Sequence, residues 1–130
     1  MAKITSYRDL EVWKEAMTLV EHIYRLTTQL AESERYGLRS QMQRAAVSVP
    51  ANIAEGFGRS VRVEYARYIA IARGSLMELK TYLALTVRLG MIERESMLPI
   101  WEIAVRLGKR LTALRKSLTK PQAPVPRPHP

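Results

Sequence analysis

Apolar residues recur along this chain at alternating spacings of three and four, which is the pattern of α-helices that each bury one stripe. The stripe is sharpest between Gly37 and Arg59, where Leu38, Met42, Ala45, Val49, Ile53 and Gly56 share a face. Its phase runs through Pro50 without a break. A proline inside a helix removes one backbone bond and presses on the carbonyl four residues earlier, here Ala46, so the pattern predicts one continuous, kinked helix.

Three further helices follow from the same periodicity. The first spans about Leu10–Leu30, with Ser6 and Asp9 as candidate caps. It carries two apolar stripes about 100° apart: Leu10, Trp13, Met17, Val20 and Tyr24, and beside it Val12, Ala16, Leu19, Ile23, Leu26 and Leu30. One stripe can face the core of a bundle. The other calls for a partner, because so wide an apolar face is too large to leave wet. The third helix, about Val61–Leu89, has Ser60 as its expected N-cap and a seam of Tyr65, Ile69, Ala72, Leu76, Leu79 and Leu83; Tyr68 and Ile71 lie off that seam. Gly74 falls level with Arg44 and Ala45 across the Gly58–Ser60 turn, and is expected to let the third helix approach the second. After a Gly90 C-terminal stop, Ser96 is the expected cap of a fourth helix with a seam of Ile100, Ala104, Leu107, Leu111, Leu114 and Leu118.

The pattern therefore predicts an all-α protein, an antiparallel up-down four-helix bundle over residues 1–118, with a basic, proline-rich, extended tail over 119–130. The unmatched apolar positions point to self-association. Val12, Trp13, Leu19, Ile23 and Leu26 of the first helix, with Tyr68 and Ile71 of the third, are the candidate interface.

A second stripe on the Gly37–Arg59 segment is polar: Gln41, Arg44, Ser48, Asn52, Glu55 and Arg59. Small residues surround it, including Ala45, Ala51, Ala54 and Gly58, so a neighbouring helix can come close. We read Gln41, Ser48, Asn52, Glu55 and Arg59 as a partly buried network that fixes helix register, in which Glu55→Ala would be strongly destabilising. A catalytic carboxylate at Glu55 is the competing reading, and no other residue marks it as one.

Charge changes the picture most. Twenty-one Lys and Arg against twelve Asp and Glu give +9 over 130 residues. The first 34 residues carry six acids and four bases, whereas residues 103–130 carry seven bases and no acid. Such a field favours polyanions. The candidate phosphate contacts are Arg39, Arg44, Arg62, Arg67 and Arg73 on the second and third helices, and Arg106, Lys109, Arg110, Arg115 and Lys116 on the fourth. With no array of aromatics among them and no reading head, binding is expected to be sequence-tolerant, to RNA and DNA alike.

Composition otherwise excludes. There is no cysteine, so neither disulfides nor thiolate chemistry are available. His22 and His129 alone make no metal site, and no phosphate loop, dinucleotide fingerprint or nucleophile elbow is present. A non-enzymatic protein without cofactor or metal is expected. The first residues reach charges at once and no run of 18 apolar residues occurs, so a cytoplasmic protein away from the membrane is expected.

The stretches SYRDLEVWKEAMTLVEHIYRLT, ERYGLRSQMQRAAVSVPANIAEGFGRS and YARYIAIARGSLMELKTYLAL resemble a bacterial family of four-helix-bundle proteins first noticed in intervening sequences of large-subunit ribosomal RNA genes. The resemblance covers about residues 6–118 and is most specific at SVPANIAEGFGR and ARGSLMEL. Members are similar in fold to the accessory variability determinant of diversity-generating retroelements, a basic pentameric ring that binds a reverse transcriptase and its RNA. The resemblance thus implies a homopentamer, RNA or DNA as ligand, and a reverse transcriptase as partner. The alternative it implies is an intervening-sequence protein acting as an interaction scaffold. This chain departs from the family in having Leu-Ala-Glu-Ser at residues 30–33, where relatives often carry Phe-Pro, and in its proline-rich tail.

Overall fold

The computed structural model describes residues 3–121, so the tail expected from residue 119 lies outside the described residues from position 122 onward. Among the described residues there are four α-helices and no strand: α1 Glu11–Thr27, α2 Leu38–Phe57, α3 Arg62–Arg88 and α4 Arg94–Thr119, with single 3-10 turns at Tyr7–Asp9 and Glu32–Glu34. Among the described residues no helix is long and apolar enough to cross a membrane.

Each helix packs on the next, and α4 returns to α1. Ser48 meets Ser75 and Gly56 meets Tyr68, so positions advance along α2 as they recede along α3. Lys80 against Trp101 and Leu76 against Gly108 show the same reversal between α3 and α4. The apolar seams converge on one core, in which Leu19, Ile23, Met42, Val49, Ile53, Ile69, Leu79, Leu83, Leu107 and Leu111 are wholly buried. α2 runs unbroken through Pro50, which is itself buried, as its continuous stripe requires.

The ends of the helices differ from expectation. Ser6 and Asp9 cap the 3-10 turn before α1 and not α1 itself: the Ser6 hydroxyl accepts from the Arg8 amide at 3.2 Å, and Asp9 accepts from the Thr5 and Ser6 amides at 3.0 and 3.1 Å. Those two amides hold the Asp9 carboxyl below its usual range. α3 begins after an extended Val61 with no side-chain cap, and Ser60 plays no part. α4 begins two residues before Ser96, on Glu93, whose carbonyl accepts from the Ser96 and Met97 amides. Gly90 performs as expected: at φ +71° it lets the Met91 amide reach the Thr86 carbonyl and its own amide reach Val87, a Schellman stop for α3.

Candidate interaction surfaces

The polar stripe of α2 divides in two. Its middle forms the expected bridge to α3: the Ser48 and Ser75 hydroxyls lie 2.7 Å apart, and the Asn52 amide nitrogen donates to the Ser48 carbonyl at 2.7 Å and hydroxyl at 3.0 Å. These groups are half-buried; the Ser48–Ser75 contact ties α2 to α3, while the Asn52 bonds run within α2 and hold the Ser48 side chain in place. Its ends are exposed, which corrects the reading of one buried network. Gln41 and Arg44 face solvent, and Glu55 meets Arg59 at 2.6 Å with both side chains about half exposed. Arg59 also donates to the Tyr68 hydroxyl at 2.8 Å and lies 5.0 Å from that ring's centre. The Tyr68 oxygen, and after it Glu55, push the guanidinium pKa up. Water screens a pair this exposed, so Glu55→Ala is now expected to change stability little.

The ten candidate phosphate contacts also divide. Arg39 is only 22% exposed; it donates to the Leu30 carbonyl at 2.7 Å and lies 3.8 Å from Glu32, clamping the link between α1 and α2. Arg62 donates to the Ser117 carbonyl at 2.6 Å, closing the C-terminal turn of α4. Arg106 and Arg110 both hold Glu15 of α1, the former at 3.3 Å. Each of these four commits at least one N–H to a carbonyl or carboxylate of its own chain. Arg44, Arg67, Arg73, Lys109, Arg115 and Lys116 are exposed and have no ion pair or side-chain hydrogen bond among the described residues.

Glu15, 18% exposed, is therefore a hinge pin between α1 and α4. Glu15→Ala leaves Arg106 and Arg110 side by side without their anion. Because both arginines are about half exposed, the expected loss is about 1 kcal/mol in low salt, shrinking as salt screens the pair. Urea unfolding at two salt concentrations checks this; a loss independent of salt would refute the electrostatic account.

The interface residues expected from α1 are mostly core residues. Val12, Leu19, Ile23 and Leu26 are buried against the other helices of the same chain, so they cannot cover a neighbour. The stripe beside them straddles the surface: Leu10, Trp13 and Val20 pack partly against the core, with the Trp13 ring edge-on to Tyr7 at 5.3 Å, while Met17 is 39% and Tyr24 44% exposed. Ile71 is exposed and Tyr68 half-buried under Arg59.

The family described as 23S rRNA-intervening sequence protein matches residues 8–113. This chain belongs to that family. Among solved structures, it is similar to a protein of unknown function from the S23 ribosomal protein family of Bacteroides thetaiotaomicron. The two share 24% identity over 81% of this chain and 98% of the other, with a TM-score of 0.76, so the likeness is one of fold. No curated protein matches the chain. Neither description names a catalytic activity.

Sequence reasoning missed one feature that the fold assembles. Where α3 lies along α4, Lys80, Arg88 and Arg94 join Arg73 and Lys109 around exposed apolar side chains and Trp101. Only two of these five cations stood out in the sequence, because each of the others reads there as an ordinary solvated charge.

Proposed function

We propose that this intervening-sequence protein is an interaction scaffold, a homo-oligomer that presents docking surfaces and performs no chemistry of its own. The observation that carries the reading is the apolar surface left over once the core is complete. Met17, Tyr24, Ile71, Met77, Leu85, Leu89 and Leu98 all remain more than a third exposed on a protein of this size. Five subunits is the number the family resemblance implies. Light scattering on purified protein is expected to return a mass several times the 14.9 kDa of one chain. A monomer at micromolar concentration would overturn the oligomer.

A second reading has its own support in the unpaired cations: contact with the phosphates of RNA or DNA. Its narrower form, an accessory role beside a reverse transcriptase, rests on resemblance alone, and a reverse transcriptase gene next to this one would support it. Arg106 and Arg110 are poor probes because they hold Glu15. Replacing Arg73, Lys109, Arg115 and Lys116 together with glutamine is the cleaner test. Binding driven by counterion release should then weaken for every sequence, with the log–log salt slope flatter by about 3. Wild-type protein that binds no nucleic acid in low salt would remove this reading and leave the scaffold.

A further inference from the structure

α3 and α4 leave three adjoining hollows of about 380, 320 and 410 Å3 between them, the middle one sharing Met77 and Lys80 with the first and Ala84 and Trp101 with the last. Together they make one groove. Along α3 it runs from Arg73 to Arg88, a length of about 22 Å at 1.5 Å per residue. Its floor is apolar: Leu76, Met77 and Val87 from α3, and Met97, Leu98 and Val105 from α4. Met77 is 56% and Leu98 37% exposed. Its banks are basic on both sides, with Arg73, Lys80 and Arg88 along one and Arg94 and Lys109 along the other. No acid lines any of the three hollows.

We propose that this groove docks an acidic amphipathic helix of a partner protein, its apolar stripe on the floor and its carboxylates on both banks. The proposal rests on the scaffold reading and gives that scaffold a partner of defined chemistry. A helix of about four turns matches the length of the groove. Methionine and leucine on the floor offer adaptable apolar contact, while cations on each bank pair with acids that flank a helical stripe on either side.

Two other occupants fit less well. Single-stranded nucleic acid uses aromatic faces as stacking platforms, and the one aromatic ring in the groove, Trp101, already carries Lys80 at 5.0 Å from its centre. A largely apolar floor also gives phosphates and sugars little to bond. A second copy of this chain would offer the exposed Met17 and Tyr24 of α1. Their flanks are balanced, not acidic: Glu11 pairs with Lys14 at 3.5 Å and Glu21 with Arg25 at 4.0 Å.

The test is fluorescence anisotropy of a labelled helical peptide of about 16 residues, with leucines at helical spacing and glutamates on both flanks, titrated with the full chain. A scrambled peptide of the same composition and a uridine oligonucleotide of the same length are the controls. The amphipathic peptide should bind with a Kd on the order of 10 μM and the scrambled one at least about tenfold more weakly. Arg73→Glu with Arg94→Glu, one reversal on each bank, should weaken binding at least about tenfold, and Leu98→Ser should weaken it without any change of charge. Circular dichroism melts establish that both variants remain folded.

Equal binding of the scrambled peptide would overturn the role of the floor, and with it the proposal. So would an oligonucleotide that displaces the peptide and loses affinity in the same variant, which would assign the groove to nucleic acid. A wild-type oligomer that dissociates on Arg73→Glu with Arg94→Glu would give the groove to a second copy. An oligomer that persists while no peptide binds would leave the scaffold standing and remove the groove alone.

Discussion

Leu19→Ala is expected to lower the stability of the folded chain by about 2–5 kcal/mol, or roughly 8–20 °C in melting temperature. Leu19 is wholly buried in the core where α1 meets its neighbours. Removing its branched end forfeits the transfer of those atoms from water and leaves a cavity that rigid helices close only in part. Met17 lies two positions away, on the other stripe, and is 39% exposed. Met17→Ala should shift monomer stability by no more than about 0.5 kcal/mol, while weakening self-association if that stripe covers a neighbour. Denaturant melts at two protein concentrations, with light scattering alongside, separate the two effects. If Leu19→Ala dissolved an oligomer and left the melt unchanged, the two faces of α1 would have to be exchanged.

That pair of residues also marks the boundary of what periodicity can reveal. Spacing identified both stripes of α1, but two stripes about 100° apart are equally good helical faces. Which one turns inward depends on where α2 and α4 lie, and that information is tertiary. The single seams of α2, α3 and α4 carried no such ambiguity, and they are buried nearly as spaced: Ile69, Ala72, Leu76, Leu79 and Leu83 on α3, for example. Helix starts were harder to read. Ser60 and Ser96 are good capping residues, yet neither caps: α3 starts after Val61 and α4 after Glu93, neither with a side-chain cap. The cations were legible as a sum and not one by one. Arg39 and Arg62 look in the sequence like Arg67 and Arg73, but each meets a free carbonyl that only the packed bundle brings within reach. The α3–α4 groove was invisible for the same reason, since Arg73 and Lys109 become neighbours only when two helices align.

Gly56→Ala and Gly74→Ala are expected to move stability in opposite directions. Both glycines sit within α-helices, where alanine is intrinsically better by about 1 kcal/mol. At Gly56 a Cβ would stand 2.7 Å from the Tyr68 Cβ and 3.2 Å from both a ring carbon and the carbonyl oxygen of Tyr65. The contact is with backbone and with a Cβ, neither of which can swing aside, so α2 and α3 must part. Burial has already pushed the Tyr65 phenol pKa up, a sign of how closely that end of the pair is packed. The separation should outweigh the gain in propensity and cost about 1–3 kcal/mol, with Gly56→Val worse. Gly74 was expected to be the point of close approach and is not. It lies two positions from both Ala72 and Leu76, on the side of α3 opposite the core, and an added Cβ there meets no atom within 4 Å. Gly74→Ala should therefore raise the melting temperature by the equivalent of about 0.5–1 kcal/mol. Thermal melts of the two variants at low and high protein concentration check both signs. A stabilised Gly56→Ala would show that the α2–α3 packing yields easily. A Gly74→Ala protein that gains stability when dilute but loses it when concentrated would place that open glycine in a contact between subunits.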